Sequence, residues 1–244
     1  PWSKAILFHL GLILAYLTVG SPLDQIGEQF LFSAHMLQHM LLVYTIPFLI
    51  YAGLPHWLID APLKNERIRK AVAFFFHPAV GGATFTIVYT LWHIPGAYEA
   101  ALRDKSIHIL EHITIFVTAM MMLWCFVTPS KRVPAANYGI RMLTIFVLMV
   151  AQLPVFAFLS FSDSVHYPTY EWAPRIIADF DALQDQILGG VIMKVSNMLV
   201  SIAIFGISFY LWARRDTAED RTFYVAPARE NPSGGRVISP SSSA

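Results

Sequence analysis

Long apolar segments separated by short polar loops run along most of the chain. Each segment is close to the ~20 residues that an α-helix needs to cross the hydrocarbon core of a bilayer. We therefore predict an all-α fold, a polytopic membrane helix bundle with about six transmembrane helices. Their approximate bounds are 4–20, 29–52, 72–94, 107–127, 141–161 and 187–212.

The composition supports a membrane protein. Hydrophobic residues make up 56% of the 244 residues and charged residues 14%, whereas soluble domains carry roughly 25% charged residues. The net charge of +1 gives no indication of a nucleic-acid partner. The single cysteine, Cys125, excludes an internal disulfide framework and a metal site built from several cysteines.

Lysine and arginine are distributed unevenly among the loops. Loops 53–71 and 128–141 are basic, as is the segment that follows the last span, whereas loops 21–28 and 162–186 are acidic. Basic loops stay preferentially on the cytoplasmic side of a membrane. We therefore predict a multi-pass protein of the cell (plasma) inner membrane, with both termini cytoplasmic and the acidic loops facing outward.

The end of the chain differs in composition from the rest. Residues 217–244 are first charged and then rich in proline, serine and glycine. Such a segment has too few apolar side chains to form a core. We expect a transmembrane helical domain over 1–216 and a disordered cytoplasmic tail over 217–244.

Histidines are concentrated at one depth of the predicted bundle. His35 and His39 are four residues apart in SAHMLQHMLL, so a helix places both on one face. With the predicted orientation, five of the nine histidines lie in the outer turns of spans two, three and four. These are His35, His39, His93, His108 and His112. Ionisable residues inside a membrane are costly and usually functional, so we predict that these histidines form an outward-facing metal cluster, as one site or two.

The two histidine pairs have the same layout. HMLQH in span two and HILEH in span four each combine two imidazoles with one polar side chain, Gln38 or Glu111, which we expect to hydrogen-bond to imidazole N–H groups. Imidazole is a ligand for zinc, copper, iron and nickel, and thioether sulfur adds a preference for Cu(I). Met36 and Met40 lie beside the histidine face. Copper, as Cu(I), is therefore the predicted metal, and zinc is the alternative.

Lys194 is a second unusual residue, because it lies about two turns inside span six. A lysine there costs on the order of 2.5–3.5 kcal/mol. We expect its ammonium group either to reach the interface or to pair with Asp185 or Glu111. The accessory site candidates are Met36, Met40, Glu111, Gln38, Asp185 and Lys194. The histidines that we expect to be ordinary polar residues of loops or of the interface are His56, His77 and His166.

Several motifs, in order along the chain, resemble those of a known family. They are AHMLQHMLL followed by Pro47 and GLP, then WHIPGAYEAAL, HILEH and DQILGGVIMK. Over most of its length the chain resembles the polytopic CtaG-type cytochrome c oxidase assembly factors. The resemblance implies a role in the maturation of heme-copper oxidases and in copper supply to their catalytic subunit. It places the five histidines in the site, with Asp185 and Gln186 as motif members.

The chain departs from the family pattern at two points. The family commonly has one span more than the six predicted here. Its last motif often has glutamine and tryptophan where this chain has Ile187 and Lys194. The second difference leaves the role of Lys194 open.

Two classes of function follow from these observations. The first is a non-enzymatic assembly factor that takes copper from a soluble extracytoplasmic donor, holds it on the histidines and passes it to a heme-copper oxidase catalytic subunit. The second is a membrane metalloenzyme, because HILEH matches the HxxEH pattern of zinc proteases with Glu111 as general base. A di-iron enzyme, a membrane cytochrome with paired axial histidines and a metal-free scaffold are further alternatives.

Overall fold

The computed structural model describes residues 2–225, and the side chains of residues 2–215. This part of the chain folds into helices joined by short turns, and it contains no strand. In chain order the helices are α1 (Trp2–Gly20), α2 (Pro22–Gln29), α3 (Phe32–Gly53), α4 (His56–Asp60), α5 (Glu66–Phe75), α6 (Pro78–Trp92), α7 (Pro95–Arg103), α8 (Lys105–Leu123), α9 (Tyr138–Ala151), α10 (Leu153–Ser160), α11 (Pro168–Trp172) and α12 (Ala182–Val225).

The number of membrane crossings agrees with the sequence. Within residues 2–225, five helical segments are long and apolar enough to cross a bilayer: α1, α3, α8, α9 with α10, and α12. Helices α5 and α6 meet at a bend of 57° and together are long and apolar enough to count as a sixth span if the bent pair crosses as one unit. The prediction of an all-α polytopic bundle with about six spans is confirmed. The α12 backbone continues to Val225, and the rest of the predicted tail, 226–244, lies outside the described residues.

Proline positions explain the irregular points of the spans. In α3 a π-helical turn covers Leu41–Thr45, and the N–H of Ile46 bonds to the carbonyl of Leu41, five residues back. Pro47 follows directly, and a proline ring clashes with the carbonyl four residues earlier, so the wider turn accommodates it. Pro154 likewise lies in the first turn of α10, directly after the break that ends α9.

The helix α3 lies at the centre of the bundle. Of the 18 most apolar consecutive residues of α3, 61% are buried, compared with 11% for the corresponding stretch of α1. The first half of α3 packs against α2 and α12, and its second half packs against α1 and α8. Helix α6 packs against α8, and α9 and α10 pack against α12. Side chains on α3 therefore face several other helices at once, which makes it the natural carrier of a buried site.

A glycine allows α12 to approach α3 closely. A Cβ atom at Gly189 would overlap the ring of Phe32 and would lie 3.1 Å from Cγ of Met36. Phe32 and Met36 are both fully buried, so neither side chain has room to move away. By contrast, a Cβ at Gly206, further along the same helix, would meet no atom within 4 Å.

This difference gives a test of the packing. We expect Gly189→Ala to destabilise the folded protein by about 1–3 kcal/mol, because overpacking a buried contact costs this much. Gly206→Ala is the matched control and should leave stability unchanged or slightly improved.

The single cysteine reports on unfolding. Cys125 is buried, and burial raises the pKa of its thiol to about 12, so the thiol should not react in the folded protein. The measurement is the temperature at which a thiol-reactive dye labels Cys125 in detergent. Equal labelling temperatures for the two glycine variants would contradict the close approach of α12 to α3.

Candidate metal centre

Helices α3 and α8 bring the two histidine motifs face to face. His35 and His39 project from α3, and Glu111 and His112 project from α8. All four side chains are buried, at 0–8% exposure. One potential ligand atom from each residue lies within 4.8 Å of those of the other three. We refer to His35, His39, Glu111 and His112 as the inner group.

The atoms of the inner group are close to one another and poorly satisfied by the protein. The two Nε2 atoms of His35 and His39 are 2.9 Å apart. The carboxylate of Glu111 lies 3.8 Å from Nε2 of His35 and 3.6 Å from Nε2 of His39. Neither carboxylate oxygen has a hydrogen-bond partner among the described residues, and the same holds for Nε2 of His112. Buried polar atoms normally have partners, so this convergence is typical of a site for a cation.

A second group lies beside the first and shares one residue with it. Asp24, His108 and His112 also offer ligand atoms within 4.8 Å of one another. Asp24 and His108 are buried at 8% and 2% exposure. We refer to these three residues as the outer group. His112 belongs to both groups, so the two are alternative positions in one continuous cluster.

His93 completes the cluster from the end of α6. Its Nδ1 lies 2.6 Å from the carbonyl of Tyr89, to which it can donate, while its Nε2 is buried and has no partner among the described residues. The ring centroids of His93 and His39 are 6.1 Å apart. The structure thus brings all five predicted histidines together, with His93 at the margin.

Most accessory candidates have other contacts. Nε2 of Gln38 donates to the carbonyl of Thr18, at 2.8 Å, and to Oδ1 of Asp24, at 3.1 Å. Gln38 therefore holds the outer group in place instead of bonding to an imidazole. Met36 and Met40 are part of the hydrophobic core.

Lys194 contacts an aromatic ring. Its ammonium nitrogen lies 5.9 Å from the centroid of Phe156, a distance compatible with a cation–π interaction. Among the described residues, no ion pair joins Lys194 to Asp185 or Glu111. The structure thus places Lys194 apart from the histidine cluster.

Asp185 fixes the beginning of α3 from the neighbouring helix α12. Its carboxylate accepts hydrogen bonds from the backbone N–H groups of Phe32, at 2.6 Å, and Ser33, at 3.0 Å. Leu31, which precedes α3, offers no side-chain cap, so Asp185 satisfies N–H groups that would otherwise be unpaired. His35 lies within the first turn of α3. Asp185 therefore positions the helix that carries His35, through its bonds to the backbone of Phe32 and Ser33.

Three charged residues at the site were not predicted as site residues. The ammonium group of Lys105 lies 3.1 Å from Asp24 and 2.6 Å from Glu28. Oε1 of Glu28 lies 3.0 Å from Nδ1 of His108. In the sequence, these charges indicate only on which side of the membrane each loop lies. The available signal was the spacing of Asp24 and Glu28, four residues apart in a helix that begins at Pro22.

Tyrosines cover the cluster on the loop side. The hydroxyl of Tyr170 donates to the carbonyl of Gly27, at 2.7 Å, and lies 3.1 Å from the hydroxyl of Tyr98. The hydroxyl of Tyr167 donates to the carbonyl of His93, at 2.9 Å. Burial raises the pKa of Tyr98 and Tyr170 well above the ordinary value, so both phenols remain neutral. The Tyr98 ring lies 5.2 Å from that of His35 and is itself fully buried, so it covers the inner group on this side.

The remaining histidines have local roles. His56 contacts the carbonyl of Pro129, at 3.0 Å, and His77 accepts from the N–H of Ala79 at the start of α6. The ring of His166 stacks on Phe158. His9 is exposed and bonds to the carbonyl one turn earlier in α1. None of these contacts reaches the cluster of five.

The bundle and its buried cluster define the class of this protein: a polytopic membrane protein with a candidate metal centre between its helices. A family model described as cytochrome c oxidase caa3 assembly factor (Caa3_CtaG) matches residues 1–215. The chain therefore belongs to this family, and the resemblance seen in its motifs is confirmed. No curated protein and no solved structure matches the chain.

Substitutions of Asp185 distinguish a residue that caps the helix α3 from a residue that binds a metal. Loss of a helix cap costs about 0.5–2 kcal/mol, so we expect Asp185→Ala to lower the temperature of Cys125 labelling. The conservative variant Asp185→Asn keeps one acceptor oxygen and should recover part of the stability. Both variants should bind as much metal as the unmodified protein when measured by elemental analysis below the unfolding temperature. Metal loss without loss of stability would show that Asp185 is a ligand.

Proposed function

We propose that this assembly factor binds a copper ion on the inner group and transfers it to a heme-copper oxidase catalytic subunit. Copper is the cargo of the protein, which holds the ion and then releases it. One observation carries it: three imidazoles and one carboxylate converge within 4.8 Å, in a buried site between membrane helices.

The donor set supports copper. Imidazole nitrogen binds both copper and zinc, and among divalent ions a given site binds Cu(II) more tightly than Zn(II). The family serves the assembly of a cytochrome c oxidase, and heme-copper oxidases require copper. Zinc remains the alternative cargo. Met36 and Met40 supply no argument for Cu(I), because both lie in the hydrophobic core. The imidazole ligands support copper without selecting its oxidation state.

The arrangement also suits transfer. A bound cation stabilises a site whose buried ligand atoms have no hydrogen-bond partners in the protein. A site that transfers the ion must also keep one coordination position available to the recipient protein. Three imidazoles with Glu111 allow such an exchange if the carboxylate leaves first. The recipient then supplies new ligands while the histidines release the ion one at a time.

The predicted membrane orientation places this exchange on the outer side. Loops 53–71 and 128–141 carry the basic residues, and basic loops favour the cytoplasm. In the inner membrane, with both termini cytoplasmic, the histidine cluster lies near the outer surface. A soluble extracytoplasmic protein would then deliver the copper, and the nascent oxidase subunit would receive it within the membrane.

A metalloenzyme with Glu111 as general base is the second candidate. The observation that favours it is the unpaired, fully buried carboxylate of Glu111 beside two imidazoles. In the inner group, however, the Glu111 oxygens are as close to the histidine nitrogens as ligands of one ion would be. We therefore assign Glu111 as a ligand and propose a non-enzymatic role.

Metal analysis tests the proposal. We expect the purified protein in detergent to bind about one copper ion, and we expect His39→Ala and His112→Ala each to weaken binding at least tenfold, since each removes one of four ligands. His9→Ala is the matched control, because His9 is an exposed histidine with only a local bond. Its copper content should equal that of the unmodified protein. Failure of the unmodified protein to bind copper would refute the proposal.

Glu111→Gln separates the two candidate functions. If Glu111 is a ligand of a transferred ion, the variant should bind copper more weakly and should deliver less copper to the oxidase in membranes. If Glu111 is a general base, the variant should retain its metal and lose a hydrolytic or oxidative activity. Full metal content together with loss of such an activity would favour the enzyme.

A further inference from the structure

We propose that the outer group is an access position for copper, and that the ammonium group of Lys105 occupies it until copper arrives. This inference rests on the proposed function of the inner group. It adds a route by which copper reaches the inner group, a residue on that route that competes with copper, Lys105, and a further carboxylate ligand, Asp24.

The geometry of the outer group is that of a cation site. Oδ1 of Asp24 lies 3.9 Å from Nε2 of His108. His112 contributes the third ligand atom, and its Nε2 is buried without a partner among the described residues. Two ligand atoms of one ion, each ~2 Å from it, lie within about 4 Å of each other. Small side-chain movements are therefore sufficient to close these three residues around a metal.

Lys105 already provides a positive charge at this position. Its ammonium group contacts both nearby carboxylates, Asp24 at 3.1 Å and Glu28 at 2.6 Å. The lysine side chain is 59% exposed, whereas those of Asp24 and Glu28 are 11% and 17% exposed. The ammonium group can therefore swing into solvent while the carboxylates stay in place. A metal ion in the outer group and the ammonium group of Lys105 compete for Asp24, because two positive charges this close repel each other.

A surface cleft leads to the outer group. Asp24, Lys105, His108 and His112 all line an open cleft of about 390 Å³ between α1, α3 and α8. The inner residues His35, His39 and Glu111 are fully buried, at 0% exposure. An ion therefore reaches the outer group first and enters the inner group through it.

His112 connects the two positions because it belongs to both. We infer that an ion moves inward by ligand exchange: the bonds to Asp24 and His108 break, and bonds to His35, His39 and Glu111 form. The bond to His112 persists throughout. No electron transfer or covalent step is required, and the Lys105 ammonium group returns to Asp24 and Glu28 when the ion has moved.

The experiment isolates the outer group by removing two inner ligands. The double variant His35→Ala/His39→Ala is titrated in detergent with Cu(I) held by a chromophoric chelator. We expect weak residual binding that Asp24→Asn weakens further in this background, because a neutral amide oxygen is a poorer ligand for a cation than a carboxylate. Asn retains the oxygen that accepts from Gln38, so the helix contact is preserved.

Lys105 gives the decisive comparison in the same background. We expect Lys105→Gln to strengthen the residual binding about tenfold, because it removes a competing positive charge near the ligands. Lys105→Arg keeps the charge and should bind like the background. Lys70→Gln is the matched control, since Lys70 also pairs with a carboxylate, that of Glu66, but lies in α5. Labelling of Cys125 verifies that each variant is folded.

A kinetic measurement on otherwise unmodified protein provides a second readout. Lys105→Gln should load copper faster at an unchanged stoichiometry of one ion, and Asp24→Asn should load it more slowly. Residual binding or loading rates that do not respond to either substitution would overturn the access position while leaving the inner group intact. Absence of copper binding by the unmodified protein would instead refute the proposed function itself.

Discussion

A carboxylate and three imidazoles are buried together inside a membrane bundle, and the rest of the structure depends on this arrangement. A charged side chain in a bilayer costs about 2.5–3.5 kcal/mol on insertion scales, and each unsatisfied buried polar group costs about 1–3 kcal/mol. Glu111 has no hydrogen-bond partner for either oxygen among the described residues. Under the function that we propose, a bound cation would supply the missing interaction.

The surrounding helices hold the cluster in position through contacts that do not involve a metal. Asp185 anchors the first turn of α3 to α12, and the lack of a side chain at Gly189 lets the two helices approach. Gln38 ties α3 to Asp24 in α2. Tyrosine hydroxyls, such as that of Tyr170, close the loop side. The protein thus holds the helices that carry the cluster in place through its own contacts, as the proposed release of an ion would require.

Much of this arrangement follows from local sequence patterns. Apolar segments of spanning length predict the bundle, and the spacing of His35 and His39 predicts a shared helix face. The loop charges predict the orientation of each span, and this orientation places His108 and His112 at the same depth as His35 and His39. The structure agrees with this grouping, because α3 and α8 place the His35 ring 5.3 Å from that of His108 and the His39 ring 5.3 Å from that of His112.

The remaining features depend on contacts between distant segments, which local patterns do not encode. Asp185 lies 153 residues from the N–H group of Phe32 that it caps, and a motif alone does not distinguish a cap from a ligand. Gln38 has the spacing of an imidazole partner but turns towards α2. Lys105 and Asp24 read as ordinary loop charges until the fold places them 3.1 Å apart.

X-ray absorption spectroscopy of the copper-loaded protein tests the central claim most directly, because it identifies the atoms bound to copper. We expect copper to have a shell of nitrogen and oxygen neighbours, with the scattering pattern of imidazole rings and no sulfur. The imidazole pattern should weaken in His112→Ala and stay unchanged in His9→Ala. A sulfur shell, or a spectrum without imidazole scattering, would contradict the assignment of the inner group as the copper site.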